Sequence, residues 1–387
     1  MERYEALFKL VEKVGSSTVG LTVNCARCHS HKFDPISQKD YYRFLSLFTT
    51  SYNPTDWIQP QNHHLYLLPN AEHEAIEARL LADQLKTVPD VLRDDLKAAL
   101  TTPADKRNEV QKYLFKKFND VFQKAYEKDP EWPKLGKIQA LWDVGEPPKI
   151  RLLQRGSADA PGPRVTPGFL SILSKPGQTD ANGSPNAKGK TSGTRLAFAE
   201  WLTSPDHPLT ARVIVNRIWQ GHFGRGIVGT PNDFGVMGER PTNQPLLDWL
   251  TATFVSTDGW SIKNLHRRIV LSATYRQASD FRADAAEADP DDKLLWRYPR
   301  RRLEAEAIRD SMLSVSGLLD PKMGGPGVFP AVPKGTEIQE GRHWSKSRGD
   351  EDEYRASVYI FARRLVRYPM LQSFDAPLAL DSCGRRQ

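Results

Sequence analysis

Three residues dominate what this 387-residue chain could do chemically: Cys25, Cys28 and His29, set in Cys25-Ala26-Arg27-Cys28-His29. The spacing fits the c-type haem attachment pattern. Two thiols three residues apart sit on one face of a helical turn, where each can form a thioether to a haem vinyl group. The adjacent imidazole is then carried beneath the iron as the proximal ligand. With 3 Cys and 9 His in the chain, composition alone yields the pattern on the order of 5 times in 10,000. Coincidence is therefore a poor explanation, and the rivals are other uses of paired cysteines. Cys25, Cys28 and His31 could supply three ligands to a tetrahedral zinc ion, with His63 or His64 as the fourth. Cys-x-x-Cys also suits a redox disulfide. Small buried thiols beside a histidine satisfied by the backbone are the plain structural reading.

A six-coordinate haem needs a distal ligand as well. The methionines are Met1, Met237, Met312, Met323 and Met370. None lies between Cys28 and residue 236, so the usual close downstream methionine is absent, and His63, His64 and His73 are the nearest strong candidates. Each of the three also reads as an ordinary surface or loop histidine. His31 is too close to His29 to swing to the opposite face; a contact to a haem propionate or a supporting role suits it better. An open sixth position would bind small ligands.

Helical spacing of Leu7, Leu10, Val11 and Val14 predicts a helix over residues 1–14, ended by Gly15-Ser16-Ser17. Ser37 is placed to cap a second helix from Asp40 to Phe48, with Tyr41, Phe44, Leu45 and Phe48 on one face. Residues 49–69 read as loop. Residues 71–128, rich in Ala, Leu, Glu and Lys, predict two or three helices broken near Pro89 and Pro103. Gly145-Glu146-Pro147-Pro148 reads as a linker and Ile150–Leu153 as a short strand. A stretch at about 173–193, low in complexity and nearly free of large apolar groups, reads as a mobile loop. Helices are then expected near 196–202, at 211–223 with Thr210 as cap, at 246–254, 262–275 and 303–315. Arg355–Phe361 is strand-like or a short helix. The fold class is mainly α with short β segments and long loops, in two non-repeating domains, 1–145 and 146–387.

The composition narrows the function classes. Charged residues make up 26% and hydrophobic ones 39%, with a mean hydropathy of -0.55; this is a globular chain with material for a core. No stretch approaches the ~18 uninterrupted apolar residues of a membrane span. The net charge of +7 is spread along the chain, and Arg300-Arg301-Arg302 beside Tyr298 lacks interleaved aromatics, so no nucleic-acid partner is expected. Three cysteines, with Cys383 near the far end, make no disulfide scaffold.

Residues 195–310 hold a second concentration of polar groups: Asn216, Arg217, His222, Arg225, Asn232, Asp233, Glu239, Arg240, Arg301, Glu304, Arg309 and Asp310. They could line a pocket for a sulfated or carboxylated sugar, an acidic polysaccharide. A hydrolase there would use Asp233 and Glu239 as its two carboxylates. The structural alternative is that arginine–carboxylate pairs and glycine turns lock helices together.

The stretch from Val23 through Cys25-Ala-Arg-Cys-His-Ser-His-Lys-Phe-Asp-Pro to Tyr42 resembles the planctomycete cytochrome C-like domain family. Arg195–Pro205, Asn216–Trp219, His222–Gly226, Thr230–Thr242, Gly259–Gln277 and Pro299–Asp310 resemble the planctomycete-specific domain that commonly follows it in one polypeptide. The resemblance covers most of the chain outside 71–145 and 171–193. It implies haem c on Cys25 and Cys28 with His29 on the iron, a role associated with electron transfer, and a redox partner or exported enzyme as partner. It implies an extracytoplasmic location, in periplasm or cell envelope, because members are generally exported. No leader precedes the helix at the start of this chain, and both ends look cut, as in a fragment of a longer protein.

Overall fold

The computed structural model describes residues 2–59, 62–66, 71–102, 107–126, 137–144, 147–181, 183–184, 191–335, 338–339, 342–347, 349–363, 366–374 and 376–377. Pro103, His73's side chain and Cys383 lie outside what is described. The chain divides into two compact units: residues 1–58 with 142–387, and residues 59–141. This differs from a division at 145. The helix-rich middle stands by itself, whereas the cysteine segment shares a unit with the region after 142.

In the larger unit, α1 (Glu2–Val14) buries Leu7, Phe8 and Val11. The helix does not stop at Gly15. It widens into a π-turn, Gly15–Val19, and closes at Gly20 in the left-handed region with φ 61°. Glycine is required there twice over, because a Cβ would stand 2.8 Å from the Phe234 ring and 2.9 Å from Val213. A single 3-10 turn, Asn24–Arg27, carries the first cysteine. Helix α2 (Gln38–Ser46) starts as expected at Ser37. The Ser37 hydroxyl accepts from the Asp40 amide at 3.0 Å, and the Asp40 carboxylate accepts from the Ser37 amide at 3.2 Å, a reciprocal capping box. The buried face of α2 holds Tyr41, Tyr42, Phe44 and Leu45.

The strand β3 (Arg151–Leu153) pairs antiparallel with β4 (Pro161–Arg164). In α6 (Thr194–Leu202), Phe198 stands edge-on to Phe44 and Phe48, at 5.4 and 5.6 Å between centroids. That cluster joins the larger unit's two sequence segments, before 59 and after 141, in one core. The stretch read as mobile over 173–193 is anchored in two described places. Phe169 and Ala181 amides donate to the Thr179 and Pro167 carbonyls, and the Asp143 carboxylate accepts from the Ser192 amide at 2.6 Å and the Thr191 hydroxyl at 2.8 Å. Burial alone would raise the Asp143 pKa; those bonds and Arg195 hold it well below the usual carboxylate range.

A second core gathers α7 (Thr210–Phe223), α8 (Gln244–Ser256) and α9 (Ile262–Val270) through Val215, Trp219, Phe223, Leu250, Phe254 and Leu265. The cap of α7 differs from expectation. Thr210 is the first helical residue, and the capping acceptor is His207, whose Nδ1 receives the Leu209 amide at 3.2 Å and the Thr210 amide at 3.1 Å. The helix expected over 262–275 is two, because Ser272 ends α9 and caps α10 (Ala273–Arg276). After α11 (Ala283–Ala288) and α12 (Ala305–Val315), a third core forms on Trp344, Ile360 and Val366. Its surroundings include β5 (Ile338–Gln339), β6 (Arg342–His343) and α13 (Pro369–Ser373). Residues 355–361 are both things at once: a 3-10 turn at Ser357–Tyr359, then Ile360 in a parallel bridge to Val328.

The smaller unit begins with β1 (His64–Tyr66) and ends with β2 (Lys137–Gln139), paired antiparallel with His64 opposite Gln139. Between them run α3 (Ala71–Lys86), α4 (Asp90–Thr101) and α5 (Glu109–Tyr126). Leu80, Leu96, Leu114 and Phe122 form its core. The fold is mainly helical, with three two-stranded sheets among the described residues. Among those residues no helix is long and apolar enough to cross a membrane.

Candidate functional site

The segment Asn24–Asp34 is fixed from beneath and open above. Arg27, between the two cysteines, carries the anchors. Its carbonyl accepts from the Tyr42 hydroxyl at 3.0 Å and from Gln38 Nε2 at 2.9 Å, and Gln38 also donates to the Leu153 carbonyl at 3.1 Å. The Arg27 guanidinium lies 3.8 Å from the Phe8 ring centroid and pairs with Glu5 at 2.7 Å. Ala26 is buried. The 3-10 turn thus puts its backbone and its small residue inward, and Cys25 and Cys28 are left as exposed free thiols. Cys28 lies against Gly156, where a Cβ would come 2.9 Å from its Sγ. Gly156 has φ 72° and follows Arg155, itself left-handed at φ 51°. A strained non-glycine residue beside a thiol costs roughly 1 kcal/mol, and the β3–β4 hairpin supports it.

His29 is exposed, with its Nδ1 2.7 Å from the Ser30 carbonyl. A carbonyl only accepts, so Nδ1 bears the proton and Nε2 keeps its lone pair for a ligand. His31 is set the other way. Its side chain is 3% exposed, and its Nδ1 accepts from the Asp34 amide at 2.8 Å and the Phe33 amide at 3.3 Å. The proton is therefore on Nε2, which is buried with no acceptor. Tyr41, under the same segment, likewise has a buried hydroxyl without a hydrogen-bond partner. Burial, with Tyr42 adding, raises its pKa far above the ordinary phenol value.

The motif-dense loop at 230–239 grips this segment from the side. The Arg217 guanidinium donates to the Ser17 carbonyl at 2.6 Å, the Ser16 carbonyl at 2.9 Å and Asn232 Oδ1 at 3.0 Å. Phe234 N–H donates to the Gly20 carbonyl at 2.6 Å. The Asp34 carboxylate accepts from Val236 N–H at 2.7 Å, and Gly235 is pressed so close that a Cβ would lie 2.6 Å from both oxygens.

The two carboxylates considered for hydrolysis have structural partners. Asp233 Oδ1 caps the Gly235 amide at 2.9 Å, and Glu239 pairs with Arg225. Asn216, fully buried, closes a loop by giving Nδ2 to the Val228 carbonyl and taking the Val228 amide. Arg309 is buried in another place, donating to the Arg355 carbonyl at 2.8 Å. Arg301 donates to the Gly221 carbonyl at 2.6 Å. These side chains act as braces, bonded to backbone or to one another. Spacing did not reveal one contact: His222 Nε2 meets His266 Nδ1 at 2.7 Å. Burial, then His266 and Arg301, lower the His222 pKa.

His63 is buried and His64 lies in β1, both in the smaller unit. Among the described residues no group of three or more His, Cys, Asp and Glu side chains is placed to hold a metal ion, so the zinc set on Cys25, Cys28 and His31 is not assembled.

Two family models match the chain. One is PSD1, protein of unknown function (DUF1553), over residues 194–387; the other is PSCyt2, protein of unknown function (DUF1549), over residues 1–53. The pairing is the one the sequence motifs suggest. No curated protein and no solved structure matches.

Proposed function

We propose that this chain, which belongs to the PSD1 family of proteins of unknown function, carries haem c on Cys25 and Cys28 with His29 as the iron ligand. Its place is then an extracytoplasmic electron-transfer assembly, with a redox partner or an exported enzyme. The observation that carries the reading is the orientation of His29. The Ser30 carbonyl holds Nδ1–H and leaves Nε2 as a lone-pair donor next to two exposed thiols. A ligating imidazole is commonly fixed in this way through its other nitrogen. The donor set fits the group: two thiols for the vinyl carbons, one imidazole nitrogen for the iron, and a buried His31 Nε2–H that lacks an acceptor and suits a propionate.

When bound, haem supplies one-electron exchange at its iron. The residues of the chain do the rest. Tyr42 and Gln38 hold the Arg27 carbonyl so that both sulfurs face outward. Ser30 sets the imidazole tautomer. Gly156 leaves room at Cys28 that any side chain would fill.

The test is export of the protein from cells carrying cytochrome c maturation factors, followed by haem staining of a denaturing gel and an optical spectrum. A stained band with a Soret peak is expected, and Cys25→Ala with Cys28→Ala should abolish it. An unstained band from exported wild-type protein, with no Soret peak, would refute the reading.

A further inference from the structure

His31 and His207 spend a ring nitrogen on backbone amides, and His29 spends one on a carbonyl. His222 and His266 spend theirs on each other. Nε2 of His222 meets Nδ1 of His266 at 2.7 Å, and the rings stand 5.0 Å apart between centroids, inclined by 70°. The two come from different helices. His222 lies in the last turn of α7, next to the core residue Phe223. His266 is on α9, next to Leu265, which is fully buried in the same core.

Both ring positions are therefore set by packed helices. His222 is held further from the other side. The Tyr275 ring stands edge-on to it at 5.4 Å, the Tyr298 hydroxyl donates to its carbonyl at 3.1 Å, and Arg301 donates to the Gly221 carbonyl at 2.6 Å. His266 is exposed, so the pair opens to solvent.

A neutral imidazole carries one N–H and one lone pair. The 2.7 Å contact joins one of each, so a single proton lies between the rings. When that proton passes through water to the outer nitrogen of its own ring, two lone pairs converge and no net proton is lost. Adjacent nitrogens around an ion at ~2.0–2.1 Å stand roughly 2.9–3.4 Å apart, so the rings need to part by well under an ångström. Burial, with His266 and Arg301 adding, lowers the His222 pKa, which keeps this ring neutral at neutral pH. Arg301 opposes a cation there, whereas the C-terminal end of α7 favours one.

We infer that His222 and His266 form a two-imidazole site for a divalent transition-metal ion, Cu2+ or Zn2+, which clips α7 to α9 and keeps water in its remaining positions. Imidazole suits both ions, and Cu2+ binds a given donor set more tightly than Zn2+. The inference is independent of the haem reading, because it uses neither thiol nor His29.

The test is titration of the full-length chain with Cu2+ alone, near neutral pH. Cys25→Ser, Cys28→Ser and His29→Gln are present throughout, to remove the exposed donors of the cysteine–histidine segment. Electron paramagnetic resonance should show one ion coupled to two nitrogens, excess Zn2+ should displace it, and saturation should raise the melting temperature. His222→Gln and His266→Gln should each weaken binding at least about tenfold and cancel the melting shift. His266→Gln replaces an exposed side chain, so its metal-free melting temperature should match that of its parent and certify its fold. Binding of undiminished strength in His266→Gln, or a parent spectrum without coupling to two nitrogens, overturns the site.

Discussion

Residues 24–34 and residues 210–242 are both crowded with polar, motif-like side chains, and they use them in opposite ways. In the second stretch Asn216, Arg217, Arg225, Asp233 and Glu239 are each bound to backbone or to one another. In the first, Cys25, Cys28 and His29 reach solvent with reactive atoms open, while the backbone beneath them is tied down. The difference teaches where chemistry is to be sought. A dense motif marks a rigid place, and the reactive atoms are those the rigid place leaves unbound.

This contrast can be broken by asking which region's substitutions cost stability. The largest loss is expected for Asn216→Leu. It would strand the buried Val228 amide and carbonyl and lower the unfolding free energy by about 4 kcal/mol, read from denaturant melts of the haem-free chain. A value under 1 kcal/mol on that scale would mean the second region is not the brace described here.

Next comes His207, whose pKa burial lowers to about 4. Unfolded, it titrates near 6.5. Between those values the unfolded chain binds the extra proton, so its contribution is full above about pH 6.5 and is lost as the pH falls toward 4, by up to about 3 kcal/mol. Melts across that range should slope more steeply for the wild type than for His207→Gln; equal slopes would contradict the buried neutral cap.

Asp34→Ala should cost about 2 kcal/mol by removing the charged acceptor of the Val236 amide. It should also loosen the 235–238 turn, measured as faster amide exchange at Val236. The smallest effect is expected in the first region. His29→Ala should shift stability by less than about 0.5 kcal/mol, as an exposed side chain does. A large loss there would erase the contrast.

Much of this organisation was legible in the sequence for local reasons. The face of α2, its Ser37 cap and the break at Pro89 follow from periodicity, side-chain reach and proline geometry within a few residues. The cysteine–histidine spacing is equally local. What spacing could not give were contacts across long separations. Nothing local says that residue 236 returns to Asp34. His207 displaced Thr210 as the cap of α7 because a histidine three residues before the first helical residue carries no familiar capping signature. The division at 145 missed that Phe198 completes the aromatic cluster begun by Phe44 and Phe48.

The antiparallel neck of the smaller unit has its own consequence. Because β1 and β2 are hydrogen-bonded neighbours, the inserted helices leave and rejoin the chain side by side, about 5 Å apart. Excision could be bridged by a tether of roughly two or three residues. Evolution can therefore lengthen, trim or exchange that appendage as a cassette, and an experimenter can graft a reporter domain there.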